Sequence, residues 1–149
     1  MPVEDLRLLL QTTLVDGIAA GPENVADLNG IKGAYALVLH VPEPVHFSRK
    51  QIDALPLSGW FVYAGSAHGG GGMGARLGRH FRRDKTVRWH VDELSNAADS
   101  IMAFAIPDDR ECNIVDRLLA TGRFEIALPG FGSSDCRRCA AHLLRPYRS

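Results

Sequence analysis

Two short blocks, Gly33-Ala34-Tyr35 and Tyr63-Ala64-Gly65, lie about thirty residues apart, each attached to an apolar run with strand character. Ala34 to Val41 is built from apolar, β-compatible residues, the pattern of a strand buried on both faces. Pro42 and Pro44 are expected to end it, because proline removes a ladder donor. Trp60-Phe61-Val62-Tyr63 reads as a second strand after a connecting segment at 45–58. Antiparallel pairing of the two runs brings both tyrosines and both bare glycine backbones to one region of a sheet, where a phosphate could approach. Ser100 to Ile106, closed by Pro107, makes a third strand, and Asp109 to Thr121 a helix stopped by Gly122.

Upstream, Leu6, Leu9, Leu10 and Leu14 mark a helix over residues 4–15, broken by Gly17, Gly21 and Pro22. Residues 1–29 read as an N-terminal helical extension packed on a domain spanning 30–149. With 149 residues and 46% apolar content, one domain with a real core is expected. No apolar run is long enough to span a bilayer, and acids stand near the start where a signal peptide carries bases, which points to a soluble, cytoplasmic protein. Cys112, Cys136 and Cys139 are an odd number in a composition unlike that of a disulfide-stapled domain, so reduced thiols are expected.

The formal charge is zero but unevenly spread. Residues 1–29 hold Glu4, Asp5, Asp16, Glu23 and Asp27 against Arg7, whereas residues 66–90 hold Arg76, Arg79, Arg82, Arg83, Lys85 and Arg88 against Asp84. Arg137, Arg138, Arg145 and Arg148 crowd the C-terminus. Such segregation offers a polyanion a basic face. The plainer alternative is a solvated helix face whose arginines pair with the acidic N-terminal segment.

The loop Ser66-Ala67-His68-Gly69-Gly70-Gly71-Gly72 can turn its amides toward an anion, and the helix that follows, about Met73 to Arg83, adds its N-terminal partial charge. The loop is neither a Walker A motif nor a dinucleotide fingerprint, and a plain surface loop is the alternative. Met73, Leu77, His80 and Phe81 form one stripe of that helix; Arg76 falls at its edge beside His80, while Arg79 and Arg82 point away. On the later helix, Glu111 shares a face with Ile114, Val115 and Leu118. That carboxylate either caps the helix, since Asp108 and Glu111 have capping-box spacing, or holds a hard divalent cation at a cleft rim.

In order and spacing these features resemble the GIY-YIG nuclease superfamily: Gly33-Ala34-Tyr35 for its first motif, Tyr63-Ala64-Gly65 for its second, residues 76–81 for its arginine-bearing helix, and Glu111 for its metal-binding glutamate. Residues 65–82, 88–94 and 128–143 resemble more specifically a branch catalogued as domain of unknown function 123, sometimes fused to an endonuclease III type of repair glycosylase. Ala34 and Ala64 stand where the superfamily motifs carry isoleucine.

The resemblance implies an α/β (α+β) domain with a central three-stranded antiparallel sheet flanked by helices. It also implies hydrolysis of DNA phosphodiesters with Mg2+ or Mn2+. On that pattern Glu111 holds the metal, Arg76 neutralises charge growing on the phosphate, Tyr35 or Tyr63 orients or deprotonates the attacking water, and His80 orients groups or moves a proton. A phenol is a poor base at neutral pH unless the metal or Arg76 lowers its pKa. Substrate contacts are expected from Gly65, Ser66, Gly70, Gly71, Arg79, Arg83, Arg88 and His90. DNA, branched or damaged, is the implied partner, and a repair glycosylase a further one.

His90 follows Trp89, a pair able to stack on an unpaired base, with a core tryptophan and a helix-start histidine as the plainer reading. Residues 129–136 are rich in turn formers, and Ser134 or Asp135 occupies the region of the asparagine that many superfamily members carry. Cys136, Cys139 and His142 form a C-x-x-C-x-x-H run with only three candidate ligands. Cys112 could add a fourth, yet reduced thiols or a redox pair are expected before zinc. Beside the endonuclease stand a non-catalytic nucleic-acid-binding module that retains the fold and, as a weaker reading, a phosphate- or nucleotide-binding protein using the glycine loop.

Overall fold

The computed structural model describes residues 3–45, 56–127 and 142–147. Along β2 (Gly33–Val45) alternate side chains enter two separate cores. Tyr35, Leu37, Leu39 and Val41 face one, and Ala34, Ala36 and Val38 the other. That is the physical meaning of an uninterrupted apolar strand: it lies between two helical layers. On the first face α2 (Gly72–Phe81) contributes Met73, Leu77 and Phe81, and α3 (His90–Ala97) contributes Val91 and Leu94. On the second, α1 (Val3–Thr13) supplies Leu6 and Leu10, joined by Leu14 just beyond it, and α4 (Glu111–Ala120) supplies Ile114, Val115 and Leu118.

β3 (Leu57–Ala67) and β4 (Ser100–Pro107) flank β2 as antiparallel neighbours. β1 (Ile18–Ala20) adds to β4, and β6 (Leu143–Pro146) and β5 (Phe124–Ile126) extend the sheet beyond β3. The order is β1-β4-β2-β3-β6-β5, all antiparallel. The expected three strands are therefore the long centre of a six-stranded sheet. The added strands are three or four residues long, too short for their alternation to stand out in sequence.

Three local features bear on the sequence reading: the strand end expected at Pro42 is corrected, and of the two readings of Glu111 the cap is removed. β2 continues through Pro42 and Pro44 to Val45, its register shifting between Val41 and Val45. Pairing with β4 stops at His40, so the missing proline amides interrupt no ladder on that side. The segment before residue 30 supplies an edge strand and buries Leu6, Leu10 and Leu14 under the sheet. The Asp108–Glu111 capping box does not form. Arg110 occupies the N-cap without a side-chain cap bond, and the Asp109 carboxylate accepts from the Arg110 amide and from Asn113 Nδ2, each at 2.8 Å.

No helix among the described residues is long and apolar enough to cross a membrane.

Candidate functional site

The register of β2 and β3 explains both glycine–tyrosine blocks. Tyr35 lies opposite Gly65 and Leu37 opposite Tyr63, which puts the two tyrosines diagonally adjacent on the α2 face. A Cβ on Gly65 would sit 2.5 Å from Tyr35 Cζ and Oη, so the glycine exists to let the ring cross it. Gly33 has a similar role, since a Cβ there would run into the Ile106 carbonyl on β4.

Packing α2 on this face brings His80, fully buried, to Tyr35: Nε2 and the phenol oxygen are 2.7 Å apart. The His80 ring also lies near Tyr63 and Trp89, with centroid separations of 6.2 and 6.1 Å. Nδ1 of His80 has no hydrogen-bond partner among the described residues. Burial pushes the imidazole pKa down to about 3; Asp92 opposes the shift, while Lys85, Arg76 and Arg79 reinforce it. At neutral pH the ring is uncharged and carries a single N–H.

Arg76 projects from the same helix and donates to the Ser66 carbonyl at 3.2 Å. Its guanidinium lies 4.5 Å from the centroid of the Trp89 ring, and that of Arg79 lies 4.4 Å from it. Arg79 does not point away as the helical wheel suggests. It grips Asp92 of α3 through two bonds of 2.7 and 2.8 Å, and the same carboxylate accepts the amides of Arg88 and Trp89. Burial alone would raise the Asp92 pKa, but Arg79 and the two amides reverse this and hold it below the usual carboxylate range. The alternative pairing of this basic segment with the acidic N-terminal residues is absent among the described residues; Asp16 pairs instead with Arg117 on α4.

Tyr63 is the less buried phenol of the pair. Burial raises its pKa to about 12; the charge of Arg76 opposes this, and those of Glu111 and Asp92 add to it. Arg76 and Glu111 therefore act on one hydroxyl from different elements. Tyr35 is pushed well above the ordinary phenol value, first by burial, with Arg76 working against it through charge and as a hydrogen-bond donor. Both phenols are un-ionised at neutral pH, so here burial outweighs the arginine.

Gly65 is buried, Ser66 half-buried, and Gly70 and Gly71 lie at the surface. The glycine loop is tied to the chain before β2: the Gly72 amide donates to the Gly69 carbonyl, the Met73 amide to that of Ile31, and the Gly30 amide to that of Gly71. Gly72 itself has φ +63 and no space for a Cβ against Gly30 and Ile31. Arg83 is exposed and donates to the Ala98 carbonyl at 2.7 Å, Arg88 is exposed, and His90 opens α3.

Glu111 is the first residue of α4 and Cys112 the second. They stand beside His142, which precedes β6 and whose carbonyl accepts the Ala64 amide at 2.9 Å. A donor atom from each of the three residues falls within 4.8 Å of the other two. Sequence reasoning named Glu111 but did not place it beside Cys112 and His142. The ligand-type run ending at His142 was the signal that pointed there. Cys136, Cys139 and the turn-rich residues 129–135 lie outside the described residues.

A six-stranded antiparallel sheet with helices on both faces, carrying tyrosine, histidine and arginine side chains together on its α2 face, defines a small mixed α+β domain with a polar site on its central strands. The chain belongs to the family described as Domain of unknown function DUF123, whose model matches residues 34–148. No curated protein and no solved structure matches the chain.

Proposed function

We propose that the protein is a metal-dependent DNA endonuclease that hydrolyses phosphodiester bonds in DNA repair or processing, with the site centred on Tyr63. The observation that carries this reading is that Arg76 and Glu111 approach the same end of β3 from different elements: Arg76 bonds the Ser66 carbonyl at 3.2 Å, and Glu111 clusters with His142, whose carbonyl holds the Ala64 amide next to Tyr63. A guanidinium suits an accumulating phosphoryl charge, and a carboxylate at a helix start suits a divalent cation that keeps most of its own waters. Of the three clustered donors, Glu111 is the one whose chemistry suits Mg2+ or Mn2+. Such an ion, when bound, supplies Lewis-acid charge and acidified water.

The chain's own residues then take defined parts. Neutral Tyr63 donates a hydrogen bond to the attacking water or to a phosphate oxygen, rather than acting as a ready base. Tyr35 and His80 hold one another beneath it and keep water out. Trp89, covered by Arg76 and Arg79, gives an unpaired base a cationic stacking surface.

The neutrality of both phenols favours a second reading, a non-catalytic nucleic-acid-binding module with the same fold. One assay separates the two. Branched, nicked and linear DNA are incubated with Mg2+ or Mn2+ and with wild type, Glu111→Ala or Arg76→Ala. Product from wild type, reduced roughly 100-fold or more in each variant, supports the nuclease. Equal background in all three, with DNA retained in gel shifts, overturns it in favour of the module.

A further inference from the structure

We propose that Glu111, Cys112 and His142 form a site for a zinc-class cation at the start of α4. Cys112 and His142 are both buried, and Sγ and Nε2 stand 3.9 Å apart although thirty residues separate them in the chain. Two such ligands on one tetrahedral zinc, with bonds near 2.3 and 2.05 Å, would be about 3.6 Å apart. A few tenths of an ångström of movement closes the difference. The third donor, a Glu111 carboxylate oxygen, lies within the same 4.8 Å cluster.

The elements hold these groups for reasons unrelated to a metal. α4 is anchored through Ile114, Val115 and Leu118, and His142 is fixed by its carbonyl bond to Ala64 and by the ladder that follows at Leu143 and Leu144. Cys112 is the second residue of its helix, next to Glu111. Sulfur and imidazole donors select zinc-class ions over Mg2+, which asks for oxygen. A second, independent indication is sequence: His142 ends the C-x-x-C-x-x-H run, so two further thiols are tethered three and six residues away. The sequence already allowed Cys112 as a fourth ligand while preferring reduced thiols; what the structure adds is the 3.9 Å approach of its sulfur to His142 Nε2.

The inference rests on the metal-dependent reading at Glu111 and deepens it, placing a zinc-class ion there in place of Mg2+ or Mn2+; its test does not depend on cleavage. The full chain, stripped with a chelator, is titrated with Zn2+ against a chromophoric chelator and separately with Co2+. One ion per chain and a thiolate-to-cobalt charge-transfer band are expected. Cys112→Ser should abolish or diminish that band, and Cys112→Ser and His142→Asn should each weaken zinc binding at least tenfold. Cys136→Ser and Cys139→Ser read whether further thiolates join: an unchanged band or a smaller one supports the centre, provided Cys112 and His142 are still required. Should a variant fail to fold, zinc protection of Cys112 against alkylation in wild type, mapped by mass spectrometry, gives the same information. Absence of stoichiometric zinc, zinc affinities and cobalt spectra that ignore Cys112 and His142, or alkylation of Cys112 indifferent to zinc would overturn the proposal. A protein that binds zinc but cleaves nothing leaves this site standing and removes only the nuclease.

Discussion

Acidification from pH 7 to pH 5 should destabilise this protein through one residue, His80. In the folded chain its pKa lies at about 3, whereas an unfolded histidine titrates near 6.5. Below pH 6.5 the unfolded chain therefore takes up a proton that the folded chain refuses. The stability associated with a neutral His80 is fully present above about 6.5 and is lost as pH falls toward 3. Integrating that linkage between pH 7 and pH 5 gives a loss of about 2 kcal/mol, roughly a 25-fold change in the folding equilibrium. The figure is insensitive to the folded value, since a folded pKa of 4 would change it by less than about 0.1 kcal/mol. The physical origin is burial of the imidazole, whose Nε2 meets Tyr35 and whose Nδ1 has no partner among the described residues; Lys85, Arg76 and Arg79 add to the effect and Asp92 opposes it. Urea unfolding of wild type and His80→Gln at pH 7, 6 and 5 measures the effect, because glutamine can still bond the Tyr35 hydroxyl but does not titrate. The wild type should lose about 2 kcal/mol more than the variant over that range. Midpoints that fall in parallel would refute the assignment.

Two further substitutions test the surrounding framework. Gly65→Ala forces a Cβ against the Tyr35 ring and should cost about 1–3 kcal/mol; an unchanged urea midpoint would mean that the ring does not cross that glycine. Asp92→Ala removes a wholly buried carboxylate that holds Arg79 and two amides at the start of α3, for which a loss of about 3 kcal/mol in thermal or urea denaturation is expected; a change within experimental scatter would show that the pair does not hold α3 to α2.

Much of the domain's centre was readable because its signals are local and periodic. The apolar run at 34–41 announced a strand buried on both faces, and the stripe Met73, Leu77, His80 and Phe81 identified the buried side of α2. The pairing of the two tyrosine blocks followed from antiparallel geometry and is realised in the register Tyr35 to Gly65. What failed was what depends on neighbours. A helical wheel turned Arg79 outward because it contains no α3, whereas the docked helix presents Asp92 to that guanidinium. Spacing allowed Glu111 a capping box, yet Asp109 accepts the N-cap amide of Arg110 and the helix begins two residues later than predicted. Whether Arg76 could make a phenol a usable base was left open by the sequence; its charge does work to lower both phenol pKa values, and burial, whose depth no residue pattern reports, outweighs it.

The amino-acid order alone thus determined the central strands, the apolar face of α2, the segregation of charge and the residue types available for chemistry, because each depends on side chains close together in the chain. Tertiary structure decided the short outer strands, the neutrality of His80 and the two phenols, and the meeting of Cys112 with His142. Those outcomes depend on desolvation and on contacts between distant segments, quantities that exist only once the layers have packed.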